Sequence, residues 1–295
     1  MIVFVLGATG FVGAFVAKKF RQHGHTVYGL CRSEKNAASL SRDEIIPIVG
    51  SAETPETWRS IASIAHVIVD ASANWDDPVQ HCRAVLREIE EIGKQRPAGL
   101  VYIFTSGVWI YGHRPGETID EWSAPKPPRH VAWREEVEKE VLRSTSIHPI
   151  VIRPSMIYGG SGSCFASFFE DASKGRPITV FGDETTRWST IHGDDMAEAY
   201  VLVAEQAALL SRQIFVLGTC GENVADMARA AGRAAGRDNA EIKFTKPTTS
   251  YDECLALTCP TSSRKAERVL GWRPKHVGFV EEVDSLYASW KGFHL

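Results

Sequence analysis

A strand that turns into a helix through spaced glycines narrows the folds open to this chain more than any other signal in it. The turn is Gly7-Ala8-Thr9-Gly10-Phe11-Val12-Gly13, set between an apolar run over 2–6 and a helical pattern over 11–23. Such a junction presents bare backbone N–H groups at a helix N-terminus, where an anion is stabilised. Gly7 permits the tight turn, Gly10 lets main-chain amides approach a pyrophosphate, and Gly13 lets the helix lie close on the strand. The spacing is GxxGxxG rather than GxGxxG, so the strand and helix on either side carry the inference further than the glycines do. Thr9, Phe11 and Val12 complete the loop expected against a dinucleotide. A glycine-rich turn that holds nothing is the competing reading.

The rest of the first half repeats the theme. Short β-rich runs at 26–31, 45–49, 66–70, 100–105 and 149–152 alternate with helical patterns at 56–64, 78–95 and 129–143. The helix over 78–95 has Arg96-Pro97 as its stop signal. This alternation predicts parallel strands joined by crossover helices, hence a doubly wound parallel α/β sheet of Rossmann type. Beyond residue 155 the pattern loosens: helices over 161–173 and 194–206, strands over 178–181 and 213–217, then helices mixed with loops at 245–250 and 258–263. We expect a dinucleotide-binding domain over 1–155 and a smaller substrate-binding cap over 156–295, with some cap segments returning to the main sheet.

Composition sets the outer bounds. The chain has 295 residues, 44% of them apolar and 23% charged, which excludes a disordered chain. The 33 basic and 36 acidic side chains leave a net charge of −3, which argues against a dedicated nucleic-acid or anionic-membrane binder. No apolar run reaches the ~18 residues of a membrane span. The apolar stretch 2–17 lacks a basic segment before it and is read as mature structure. Cys31, Cys82, Cys164, Cys220, Cys254 and Cys259 are scattered without a CxxC pair, and the histidines are not at metal-ligand spacing. Reduced thiols, a cytoplasmic location and no metal are expected.

The nucleotide is read from the end of the second strand, where a carboxylate would hold a bare ribose diol. That position reads Cys31-Arg32-Ser33, followed by Lys35, with no carboxylate. A guanidinium suits a 2′-phosphate. NADP is therefore expected, with NAD possible and with solvated loop charges as the alternative.

These motifs together resemble the extended short-chain dehydrogenase/reductase family, that of epimerases, dehydratases and related carbonyl reductases. Gly7–Gly13 is similar to its glycine loop. Val69-Asp70-Ala71-Ser72 resembles its fourth strand where that passes the cofactor, which implies Ala71 and Ser72 as cofactor neighbours. Tyr102–Gly107 with Tyr111-Gly112 resembles its fifth strand and serine turn, implying Thr105 beside the cofactor. Ile152-Arg153-Pro154 and Ile157-Tyr158-Gly159 resemble its element after strand six, implying Pro154 and Ile157 near the nicotinamide. His192-Gly193-Asp194-Asp195-Met196-Ala197 and Leu270-Gly271-Trp272-Arg273-Pro274 are similar to two further segments.

The family's Tyr-x-x-x-Lys pair is missing. In the corresponding stretch His130 takes the tyrosine position and Arg134 the lysine position, while Ser106 stands nearest the usual serine. His130 as acid/base, Arg134 as ribose holder and Ser106 as hydrogen-bond donor would form a substituted relay, since imidazole moves protons near neutrality. Tyr111 is a substitute proton donor. The plain alternative makes His130 and Arg134 helix-surface residues, with Arg134 paired to Glu138. Trp109, Tyr158 and Arg187 are expected to meet the substrate. His192 is read as structural, with Asp194 or Asp195 as a helix N-cap. The function expected is an NADP-dependent oxidoreductase or epimerase acting on a small carbonyl or hydroxyl compound. A non-catalytic NADP-binding sensor resembling NmrA-like proteins is the alternative. A small-molecule substrate, no nucleic acid, no membrane and a possible homodimer through 78–95 and 129–143 complete the expectations.

Overall fold

The computed structural model describes residues 1–96 and 99–294; the Pro97 stop signal lies outside them. Strands and helices alternate through the first half: β1 (Ile2–Leu6), α1 (Phe11–Gln22), β2 (Thr26–Cys31), α2 (Glu34–Arg42), β3 (Ile46–Val49), α3 (Arg59–Ile64), β4 (Val67–Asp70), α4 (Pro78–Lys94), β5 (Val101–Thr105), α5 (Trp133–Arg143) and β6 (His148–Pro154). The second half follows with β7 (Met156–Tyr158), α6 (Ala166–Ser173), β8 (Ile178–Phe181), β9 (Arg187–His192), α7 (Gly193–Glu205), β10 (Ile214–Leu217), β11 (Cys220–Asn223), α8 (Val224–Ala234), β12 (Ile242–Thr245), α9 (Ser250–Leu255), α10 (Arg264–Leu270) and α11 (Val283–His294).

Seven strands pair in parallel in the order β10-β6-β5-β4-β1-β2-β3. The chain reverses its direction of travel across the sheet between β1 and β4, which opens a crevice at their C-terminal ends. Successive strand residues face opposite sides, so Val3 and Val5 join one core with α1 and α7 while Phe4 and Leu6 join the other with α4 and α5. Both faces are covered, as the continuous apolar strands require. β10 returns from the second half to the edge of this sheet. A three-stranded sheet (β11-β9-β7), a two-stranded one (β12-β8) and a core around Phe165, Phe169, Phe279 and Trp290 build the cap.

Several local expectations change. α2 escapes the pattern reading because only Ala37 and Leu40 of it are buried. The segment 129–143 begins as a 3-10 turn over Arg129–Val131 before α5, so His130 precedes the α-helix. The N-cap of α7 is His192, whose side chain accepts the Asp194 N–H; it is neither Asp194 nor Asp195. Asp195 is buried and instead accepts the Lys275 and His276 N–H groups, both at 2.9 Å, tying the C-terminal segment to α7. The outward sides of α4 and α5 are joined by Arg83 pairing with Glu136 and Glu140, so a dimer there would meet on charged faces.

Candidate functional site

The N-terminus of α1 opens into the crevice. Gly7 has φ +76°, and a Cβ there would stand 2.5 Å from the Ala71 carbonyl oxygen. A Cβ on Gly13 would stand 2.1 Å from the Gly7 oxygen, so both positions admit only glycine. Gly10 is the N-cap, no side chain caps the helix, and no acid stands in its first turn. Thr9 and Gly10 are exposed, while Phe11 and Val12 are half-buried. An uncapped, glycine-lined helix start with no anion of its own fits a dinucleotide diphosphate.

At the end of β2, Arg32 and Lys35 are exposed and have no ion-pair partner among the described residues. The Ser33 hydroxyl is committed to α2, where it accepts the Asn36 N–H at 3.3 Å. At the end of β4 a polar chain runs inward. Asp70 accepts the Tyr102 hydroxyl at 2.8 Å and both the N–H and hydroxyl of Ser72, at 3.0 and 2.6 Å. Ser72 Oγ lies 2.9 Å from His81 Nε2, and His81 Nδ1 lies 2.9 Å from Glu53 Oε1. Hydrogen bonds from Ser51 and then His81 hold Glu53 at about 2, well below the usual carboxylate range. The sequence reading missed His81 and Glu53, which nothing in their spacing ties to Ser72.

The end of β5 brings two of the catalytic candidates, Ser106 and Arg134, to one place. Ser106 is buried, and its hydroxyl has no hydrogen-bond partner among the described residues. A buried hydroxyl without a partner is costly unless a ligand supplies one. Arg134 donates to the Thr105 carbonyl at 3.3 Å, and the Thr105 hydroxyl accepts from Tyr200 at 3.0 Å. The Arg134 guanidinium has no contacting carboxylate among the described residues, and burial lowers its pKa. Its neighbours Cys82 and Cys254 are both pushed up to about 12 by burial and remain neutral, so its support comes from the more distant Glu138 charge and from the Trp133 ring 4.8 Å beneath the guanidinium.

Glu138 pairs elsewhere. It forms a buried ion pair with Arg153, and Arg153 also donates to the Tyr111 hydroxyl at 2.6 Å. The Arg134–Glu138 ion pair of the alternative reading is therefore absent among the described residues. Tyr111 is fully buried within this cluster with its hydroxyl committed to Arg153, and burial raises its pKa.

His130 sits in an aromatic setting. Its Nδ1 lies 3.2 Å from Ser250 Oγ, Trp75 stacks on its face, and Tyr251 meets it edge-on. Trp109 meets Tyr251 in turn. Trp75, Ser250 and Tyr251 were not found from the sequence, because only the fold brings the loop after β4 and α9 to His130.

Tyr158 is fully buried, packed edge-on against Phe165, His192 and Phe279, so it belongs to the cap core and not to a substrate surface. Pro154 is buried at the end of β6 and Ile157 half-buried in β7. Arg187 is exposed, and its guanidinium donates to the Gly221 carbonyl at 2.6 Å. The fold does gather His192, Asp194 and His276, whose ligand atoms lie within 4.8 Å of one another. The two imidazoles are stacked 3.5 Å apart, with His276 Nδ1 on Glu282 and His192 Nδ1 on the Asp194 N–H. Stacked rings direct their lone pairs side by side, so this is a packed helix cap.

Residues 3–218 match the NAD dependent epimerase/dehydratase family. The chain is 25% identical over 297 residues to an uncharacterised protein of Schizosaccharomyces pombe, covering 97% of this chain and 99% of that one. It is 27% identical over 219 residues to the 4-hydroxy-2-methyl-3-oxo-4-farnesyl-3,4-dihydroquinoline-1-oxide ketoreductase of Stigmatella aurantiaca, covering 70% and 65% of the two chains. The fold matches dTDP-glucose 4,6-dehydratase of Bacillus anthracis in complex with NAD, with a TM-score of 0.84, 14% identity, and 99% and 97% of the chains covered.

Proposed function

The chain belongs to the NAD dependent epimerase/dehydratase family, and from that premise we propose an NADP(H)-dependent oxidoreductase or epimerase that acts on a carbonyl or hydroxyl carbon. The observation that carries this reading is Arg134: a guanidinium drawn in beside Thr105, with no carboxylate in contact among the described residues, four residues after His130. A cation placed there suits a ligand that arrives with its own oxygens. The ketoreductase name of the Stigmatella relative favours carbonyl reduction within this class.

Gly7, Thr9, Gly10, Phe11, Val12 and Gly13 would hold the diphosphate, and Arg32 and Ser33 would take the 2′-phosphate. Ala71, Ser72, Thr105, Pro154 and Ile157 would neighbour the rest of the cofactor, and Arg134 would hold the ribose. When bound, the dinucleotide supplies hydride donation or acceptance at its nicotinamide ring. The Ser106 hydroxyl donates a hydrogen bond to the substrate oxygen and fixes its position. His130 Nε2 gives the proton to that oxygen in reduction and takes it in oxidation, while Nδ1 is set by Ser250. No helix among the described residues is long and apolar enough to cross a membrane. A small-molecule substrate and a reducing, cytoplasmic setting complete the proposal.

The test is His130→Phe, assayed for NADPH oxidation over a panel of aldehydes and ketones. Loss of an acid/base group lowers turnover by about 10²–10⁴-fold, with NADPH affinity retained. Unchanged turnover removes His130 from the chemistry.

A further inference from the structure

We propose that this site takes a flat, uncharged aromatic or conjugated ketone and does not take a nucleoside-diphosphate sugar. The inference rests on the functional reading above for the place where the substrate reacts. Four rings from four separate segments join in one cluster, in which Trp75 and Tyr251 touch the candidate proton donor His130 and Trp109 touches Tyr251. Trp75 comes from the loop after β4, Trp109 from the turn after β5, His130 from the turn before α5, and Tyr251 from α9 of the cap. Trp75 lies nearly parallel to His130, with centroids 5.6 Å apart and planes 13° apart. Tyr251 stands edge-on to His130 at 5.6 Å, and Trp109 edge-on to Tyr251 at 5.8 Å.

One exposed ring is ordinary on a protein surface. Here Trp75 is 58% exposed and Tyr251 42% exposed, and both touch the same imidazole. Rings that face water beside a reacting group gain by being covered with another flat apolar surface. The rings of the wall offer a phosphate no fixed cation, although Arg129 beside His130 is exposed and has no ion-pair partner among the described residues. A diphosphate carries about two negative charges and takes arginine or lysine donors in fixed geometry. Arg187 is held by the Gly221 carbonyl, Arg153 is neutralised by Glu138, and Arg134 lies inward on the Thr105 carbonyl. Tyr251 contributes no charge, because a phenol is protonated at neutral pH.

Saturation-transfer NMR on the NADP-loaded protein tests this with two probes, 1-acetonaphthone and UDP-glucose, and NADPH oxidation is followed in parallel. The ketone binds, its affinity falls about tenfold in Trp75→Ala and in Tyr251→Leu, and Trp75→Phe restores it to within threefold. Each variant keeps the wild-type affinity for NADPH, which certifies its fold. UDP-glucose gives no saturation transfer. Binding of UDP-glucose in place of the ketone, or ketone affinity indifferent to Trp75→Ala, overturns the proposal. Ketone binding without NADPH consumption upholds the aromatic site and removes the hydride-transfer reading. Consumption with aliphatic aldehydes alone, while the ketone fails to bind, does the reverse.

Discussion

Arg134 and Arg153 show how two like residues divide their labour. Arg153 lies within a buried pair with Glu138 and a hydrogen bond to Tyr111. Arg134 has one carbonyl and no contacting anion among the described residues. A half-buried guanidinium with one carbonyl and one ring beside it keeps donors free for a ligand that brings oxygens. Arg134→Met is therefore expected to weaken NADPH binding by about 10–100-fold, the ~1.5–3 kcal/mol of a charged hydrogen bond, while the thermal midpoint holds or rises. A fall of several degrees with unchanged NADPH affinity would make Arg134 a structural strut. The spacing of His130 and Arg134 was legible in the sequence. Which arginine receives Glu138 was not, because β6 and α5 decide it by packing; the same packing commits the Tyr111 hydroxyl to Arg153.

At the scale of elements, α1 and α7 lie together, and His192 at the α7 N-cap stands where they meet β7. It packs against Phe15, Tyr158 and His276 and faces Asp194, Asp195 and Glu282. Burial, followed by the charge of His276, lowers its pKa, while the three carboxylates pull the other way. The unfolded chain takes up this proton near pH ~6.5 and the folded chain only at lower pH. Stability linked to neutral His192 is thus complete above pH ~6.5 and drains as pH falls from there through the folded value. His192→Asn keeps an acceptor for the Asp194 N–H and removes the titration. Between pH 7 and pH 5 its thermal midpoint is expected to fall less than that of the wild type; equal slopes would contradict the assignment. Periodicity found β1, β2, β4 and β5 because each alternates between two covered faces. It missed α2, which buries two side chains, and β9, whose polar sequence is paired inside the cap.

Over the whole molecule, the sheet reverses between β1 and β4, α1 starts uncapped after β1, and the wall around His130 draws Trp75 and Trp109 from the segments that follow β4 and β5. The glycine loop declared the second of these in the sequence, since a Cβ at Gly7 or Gly13 would collide with backbone. The wall was silent, because its rings come from positions 75, 109, 130 and 251 and share no periodicity. The central claim is that the α1 terminus and Arg32 hold NADP(H), and titration calorimetry of the purified protein tests it most directly. NADPH should bind with an affinity at least tenfold above that for NADH, and Arg32→Glu should erase the difference while leaving NADH binding in place. A protein that binds neither nucleotide would contradict the account at its root.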